Sequence, residues 1–171
     1  MPFTILPTLS FLRKIAFLSI LIVFLLLSAS EGWAKRPPET RNQEKLEIRK
    51  DMHGRDLNGY EFIKVDLRGV DLSESDLRGA VFNNSQLQGA DLHGSDMKDV
   101  LAYSTDFEDA DLTDANLSNA LLMESSFKGA QIEGADFSDA IINRIQQRQL
   151  CLRASGTNSK SGITTDYSLG C

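Results

Sequence analysis

From Leu57 to Ile142 a large apolar residue returns at every fifth position, with one exception in eighteen. The row is Leu57, Phe62, Leu67, Leu72, Leu77, Phe82, Leu87, Leu92, Met97, the exception Ala102, then Phe107, Leu112, Leu117, Leu122, Phe127, Ile132, Phe137 and Ile142. Two residues ahead of each centre, from Val65 to Ala140, stands only Ala, Ser, Thr or Val. Five residues turn an α-helix by roughly 140°, and five is odd, so a straight strand also throws successive centres to opposite faces. Neither regular element buries this row. The spacing instead predicts a backbone that turns a corner in every pentad, with each centre on a shared axis and each small residue where the chain bends inward.

A second period sets the size of one round. The residue before the centre is polar at Asp66, Asp71, Asp76, Asp91, Asp96, Asp106, Asp111, Asn116 and Asp136, but apolar at Val81, Leu101, Leu121 and Ile141. Those four are twenty residues apart. Twenty residues, or four pentads, therefore make one coil, and eighteen centres make about 4.5 coils, ~22 Å tall at the separation of paired strands. The sequence thus predicts an all-β solenoid with a filled core.

The triplets Ala90-Asp91-Leu92, Ala110-Asp111-Leu112, Ala115-Asn116-Leu117 and Ala135-Asp136-Phe137 carry an A-D/N-L-X-X pattern that resembles the pentapeptide-repeat family. The resemblance covers about 90 of the 171 residues and implies a right-handed quadrilateral β-helix. A repeat scaffold hosts unrelated functions, so the resemblance does not by itself assign one.

The expected organisation has four parts: a targeting segment over 1–34, an N-terminal cap or linker over 35–51, the repeats over 52–143, and a C-terminal helix and tail over 144–171. In the first, Arg13 and Lys14 precede an apolar run from Ile15 to Leu27, and Gly32-Trp33-Ala34 offers small residues for cleavage. Thirteen apolar residues are short of the ~20 that span a bilayer. A removed export signal is expected, with no membrane attachment afterwards; a retained anchor is the alternative. Between 35 and 51 the mixed charges fit either a helix capped by Thr40 or a leading strand. Bulky Arg55 and Tyr60 at small positions imply that this segment covers an open first coil.

Cys151 and Cys171 lie beyond the repeats and suit a structural disulfide in an oxidising exported compartment. A short capping helix is expected from Asn143, whose side chain can cap it, through Ile145, Gln146, Arg148, Leu150 and Leu152 to Ala154. Cys151-Leu152-Arg153-Ala154-Ser155-Gly156 and Ser168-Leu169-Gly170-Cys171 are similar to the tails of cyanobacterial and plant thylakoid-lumen members. That similarity implies a lumenal or periplasmic address and the same disulfide, and the absence of a long transit peptide favours a cyanobacterial source.

Charge narrows the partners. The chain carries 18 basic and 24 acidic residues, and the repeats, 55–144, carry 7 and 18. This speaks against nucleic acid as a ligand. The acids sort into ladders, Asp51, Asp71, Asp91 and Asp111 on one face and Asp56, Asp76, Asp96 and Asp136 on another. Solvated ladders that keep the protein soluble are the plain reading; a weak divalent-cation surface is the sharper one. One face differs: Val81, Leu101, Leu121 and Ile141 are joined by Ile63, Tyr103 and Met123, all pointing outward in this register. This stripe is the candidate interface, and the alternatives for what covers it are the tail 155–171, an unknown protein partner or a second copy in a homodimer. Ala102 within it leaves a void unless Phe82 and Phe107 fill it, or Leu101 or Tyr103 leans inward.

Catalysis is not expected. His53 and His93 fall on one face two coils apart, no base pairs with a nucleophile, and the Ser and Gly positions serve packing and turns. No cofactor or metal is expected. The reading is a non-enzymatic, exported interaction scaffold. The competing reading comes from the family resemblance: acidic quinolone-resistance members mimic B-form DNA and bind the topoisomerase gyrase.

Overall fold

The computed structural model describes residues 50–171. The expected targeting segment and residues 35–49 of the expected cap lie outside the described residues.

Each pentad places the residue before its centre in a parallel bridge with the residue twenty positions on. One column runs Asp51, Asp71, Asp91, Asp111, Gln131; the next runs Asp56, Asp76, Asp96, Asn116, Asp136. Within a column the centre's N–H donates to a carbonyl nineteen residues on, as from Leu57 to Asp76 and from Leu92 to Asp111, both at 2.8 Å. Each round of twenty residues is thus one tier, hydrogen-bonded to the tiers on either side. The corner follows at once: the small residue's N–H turns back to the centre's carbonyl, Ala110 to Phe107 at 3.1 Å and Val70 to Leu67 at 3.2 Å. The residue before it lies in the left-handed region, as in Gly69 (φ 61°), Lys64 (φ 59°) and Asp109 (φ 57°).

This geometry corrects the expected fold class. Among the described residues there is no extended strand: each bridge is a single residue, and the only regular elements are two short helices. The all-β solenoid, the right-handed quadrilateral β-helix and its count of coils are therefore not the description of this chain. The physical reason is the pentad itself. The centre and the residue two after it also bond to the next tier, as Leu77 to Asp96 and Gly79 to Lys98, but the left-handed residue at each corner turns the chain before a run of extended residues can form.

The apolar row forms the core and begins at Met52, one pentad ahead of Leu57. Every centre from Met52 to Phe137 is buried. The rings of Phe62 and Phe82 stack with centroids 4.9 Å apart, those of Phe107 and Phe127 at 5.1 Å, and Phe127 meets Phe137 edge-on at 6.3 Å. Ile142, the last expected centre, is only half-buried. Ala102 is fully buried, while Leu101 and Tyr103 beside it stay exposed. Neither leans inward.

Buried hydroxyls act as ties between tiers. Ser85 Oγ accepts the Val65 N–H at 2.9 Å and donates to the Phe62 carbonyl; Thr105 donates to the Phe82 carbonyl at 2.8 Å; Ser125 accepts the Thr105 N–H at 3.0 Å and donates to the Ala102 carbonyl. A buried N–H that cannot close its own corner is satisfied by the tier above.

The last tier is closed by α1 (Arg144–Cys151) and α2 (Thr165–Leu169). The Asn143 carboxamide caps α1 by accepting from Ile145 and Gln146 N–H. The helix stops at Cys151, short of the Ala154 expected from the sequence, and α2 was not expected at all. Leu150 and Leu169 are buried on the inner side. Gln147 Nε2 donates to the Leu169 carbonyl at 2.5 Å, and Cys151 and Cys171 are joined by a disulfide with their Cα atoms 5.6 Å apart. Polar groups from this cap meet the final tier: Ser168 Oγ accepts the Phe137 N–H at 3.0 Å, Ser155 accepts the Gly134 N–H at 2.8 Å, and Arg153 donates to the Phe127 carbonyl. Groups that would otherwise end the stack unpaired are thereby satisfied.

Candidate functional site

Where the residue before the centre is Asp or Asn, it has a structural task. Its side chain accepts the N–H two residues on, a group left over by the bridges: Asp71 takes Ser73 N–H at 3.0 Å, Asp91 takes His93 at 3.0 Å, Asp111 takes Thr113 at 2.9 Å and Asp136 takes Ser138 at 2.9 Å. Asp66 does the same for Arg68 at 3.2 Å and also receives its guanidinium, Nη2 to Oδ2 at 2.6 Å. That hydrogen bond, first among its causes, holds the Asp66 carboxyl down at about 2. The Asp of the pentad is thus part of the corner as well as of the surface.

Val81, Leu101, Leu121 and Ile141 occupy this same position and supply no acceptor. The bridges join them in one column, continued at the near end by Glu61. Ile63, Tyr103 and Met123, each just after a centre, form the neighbouring column. Leu101 and Leu121 are each 37% exposed, Tyr103 44%, Met123 48% and Ile141 51%; Val81 is half-buried. Tyr103 N–H takes a substitute acceptor, Asn83 Oδ1 at 2.9 Å, one tier away. A hydrogen bond from the phenol to the Glu124 carboxylate, with desolvation, pushes the Tyr103 hydroxyl above its ordinary value.

The tail does not cover this face. It runs over the corners that follow Leu72, Leu92, Leu112 and Ile132, half a tier away. There Asn158, buried, donates to the carbonyls of Gly134 (2.9 Å) and Asp114 (3.1 Å), and Ser159 N–H donates to Asp114 Oδ1 at 2.6 Å. Lys160 Nζ reaches the Gly94 carbonyl at 2.7 Å and Glu74 at 3.5 Å. The tail therefore straps the tiers bearing Glu74, Gly94, Asp114 and Gly134, and leaves the apolar columns to solvent.

The other candidates resolve differently. His53 Nδ1 lies 2.9 Å from Ser73 Oγ, a contact between tiers that the sequence reading missed. Ser73 Oγ in turn donates to Asp71 Oδ1 at 2.5 Å. Its proton is committed to a carboxylate, so the imidazole meets the hydroxyl as a donor and not as a base. The ladders of Asp form no group of three or more His, Cys, Asp or Glu able to hold a metal among the described residues. No helix of the described residues is long and apolar enough to cross a membrane.

Comparison with known families matches eight copies of the signature described as pentapeptide repeats, over residues 61–99 and 104–144. A pentapeptide repeat protein from the thylakoid lumen of Arabidopsis thaliana is 37% identical over 70% of this chain and 90% of its own. The chain belongs to the pentapeptide-repeat family. This is a non-enzymatic family whose members have varied roles. A second member, from the cyanobacterium Nostoc, is 32% identical over 56% of this chain and 77% of its own. QnrB1, a plasmid-mediated fluoroquinolone resistance protein, is 26% identical over 54% of this chain and 61% of its own. The TM-scores of the three are 0.29, 0.21 and 0.33, so membership rests on the shared sequence. Comparison with curated proteins gives no significant match. The two stretches of repeats are separated by residues 100–103, which include Leu101, Ala102 and Tyr103. The break in the family pattern falls on the apolar face.

Proposed function

We propose that this pentapeptide-repeat protein is an exported interaction scaffold of the thylakoid lumen or periplasm that binds a protein partner through the face of Val81, Leu101, Leu121 and Ile141. One observation carries the reading. At four tiers in succession, and on that face only, an apolar side chain stands where Asp would close the corner and keep the surface wet. Val81 and Leu121 each forgo a hydrogen bond of ~1 kcal/mol, less where water reaches the N–H, while Asn83 Oδ1 makes good the loss at Leu101. A sequence shaped by folding alone favours Asp at these positions, as the columns through Asp71 and Asp76 show.

The same observation supplies an experiment that spares the fold. Leu101→Asp with Leu121→Asp supplies an acceptor for the Met123 N–H and a second one beside Asn83 Oδ1 for the Tyr103 N–H, so the double variant keeps its melting temperature. In extracts of the exported compartment the wild type sediments in an assembly larger than the lone chain, and the variant sediments alone. An unchanged assembly with the variant overturns the proposal. The address is supported by similarity to the lumenal Arabidopsis protein and by the disulfide, and N-terminal sequencing of the mature protein tests it, with an intact segment 1–34 as the contrary result. The competing reading, an acidic mimic aimed at a topoisomerase, draws on the family resemblance and on charge, and the apolar face interrupts that charge. Inhibition of gyrase by the purified protein would favour it.

A further inference from the structure

We infer that the occupant of the apolar face is an amphipathic helical segment of a partner protein with basic residues along its flanks. The inference rests on the interaction reading above and names the kind of partner. The first argument is main-chain bonding. The carbonyls of Val81, Leu101, Leu121 and Ile141 already accept N–H groups from Phe62 (2.6 Å), Phe82 (2.7 Å), Ala102 (2.9 Å) and Leu122 (2.9 Å). The N–H groups of Val81, Leu101, Leu121 and Ile141 are likewise donated to Tyr60, Ala80, Val100 and Ala120. A partner that docks as an added strand needs alternating donors and acceptors at an unpaired edge, whereas this face offers isolated N–H donors such as that of Met123 and no open carbonyl beside them, since those of Asn83, Tyr103 and Met123 accept from Lys64, Asn84 and Ser104. A helix satisfies its own backbone and asks only for side chains.

The second argument is size. From the Glu61 tier to the Ile141 tier is four intervals, ~19 Å. That length matches about 13 helical residues, and two columns of side chains match the apolar stripe of one amphipathic helix. The third is charge. Exposed Asp99 and Asp139 line the corner before the face, and Glu61 and Glu124 lie within and after it, against Lys64 and Arg144 at its two ends. Two copies laid face to face would oppose acid to acid. A helix carrying Lys or Arg beside its apolar row meets acids instead.

Fluorescence anisotropy with labelled synthetic peptides of about 14 residues tests this. One peptide has Leu at helical spacing flanked by Lys; a second replaces Lys with Glu; a third carries a central Pro that breaks the helix. The Lys peptide is expected to bind and to gain helical circular dichroism, and the other two to bind at least tenfold more weakly. Leu101→Asp with Leu121→Asp is expected to weaken the Lys peptide at least tenfold, although two added acids strengthen any attraction that is merely electrostatic. Equal or tighter binding to that variant overturns the inference, as does equal binding of the Glu or Pro peptide. Self-association of the wild type that the variant loses assigns the face to a second copy and also overturns it. If no peptide binds while the variant still leaves its assembly in extracts, the helical partner is wrong and the interaction reading stands; if the assembly is unchanged as well, both fall.

Discussion

At the scale of single residues, the pentad is a division of labour that explains its own composition. The residue before the centre bridges the tiers and accepts the N–H two positions on, the centre fills the core, and the fourth residue takes the left-handed corner. Glycine suits the corner, yet Lys64, Glu74 and Glu124 stand there at φ 59°, 54° and 60°. A side chain in this region costs on the order of 1 kcal/mol. Lys64→Gly, at an exposed corner, is therefore expected to stabilise the protein by about 0.5 kcal/mol once the freedom glycine adds to the unfolded chain is set against it. Thermal unfolding checks it as a small rise in Tm. The carboxylates set the acid limit. Asp66 is held at about 2 by its hydrogen bonds to Arg68, and Ser73 and Arg78 lower Asp71 and Asp76. A carboxyl depressed in the folded state stabilises it above the unfolded value, ~3.9, and loses that contribution as pH falls through the folded value. Stability is expected to drop between about pH 4 and pH 2, and Arg68→Gln to raise the Asp66 midpoint followed by NMR.

At the scale of elements, the sequence revealed what is periodic and hid what is not. The buried row, the small residues and the acid columns recur at fixed intervals, and Asn143 announces α1 by a local capping rule. Single bridges in place of strands were not legible, because a period of five does not say how many of its residues pair. Nor was the tail, since Asn158, Ser159 and Lys160 hold it through polar contacts with residues forty or more positions away. His53 and Ser73 meet for the same reason of stacking. The apolar face was legible as a stripe, but only the hydrogen bonds of the Asp columns show that it gives up something other faces keep. The disulfide closes a separation of 20 residues, which in the chain-entropy estimate stabilises by ~3 kcal/mol. Cys151→Ser with Cys171→Ser is expected to lose about that much in urea unfolding. Proteolysis of the variant should open first in 155–164, where Asn158, Ser159 and Lys160 hold the tiers by polar contacts.

At the scale of the whole unit, every face is defined by register, because neighbours in a column are twenty residues apart. Removing Asp91–Ala110 subtracts one round, and the retained Val81 then pairs with Leu121. Such a shortened protein is expected to fold, with a lower Tm and a continuous but shorter apolar face, checked by circular dichroism and the peptide titration above. Removing Asp106–Ala110 alone keeps every centre in the core and has a different result. Everything later in the chain advances by a quarter turn, so Leu121 and Ile141 swing away from Val81 and Leu101, and the tail meets foreign corners. Height in this protein can thus change only in whole rounds, and a single lost pentad scrambles the surface while sparing the interior.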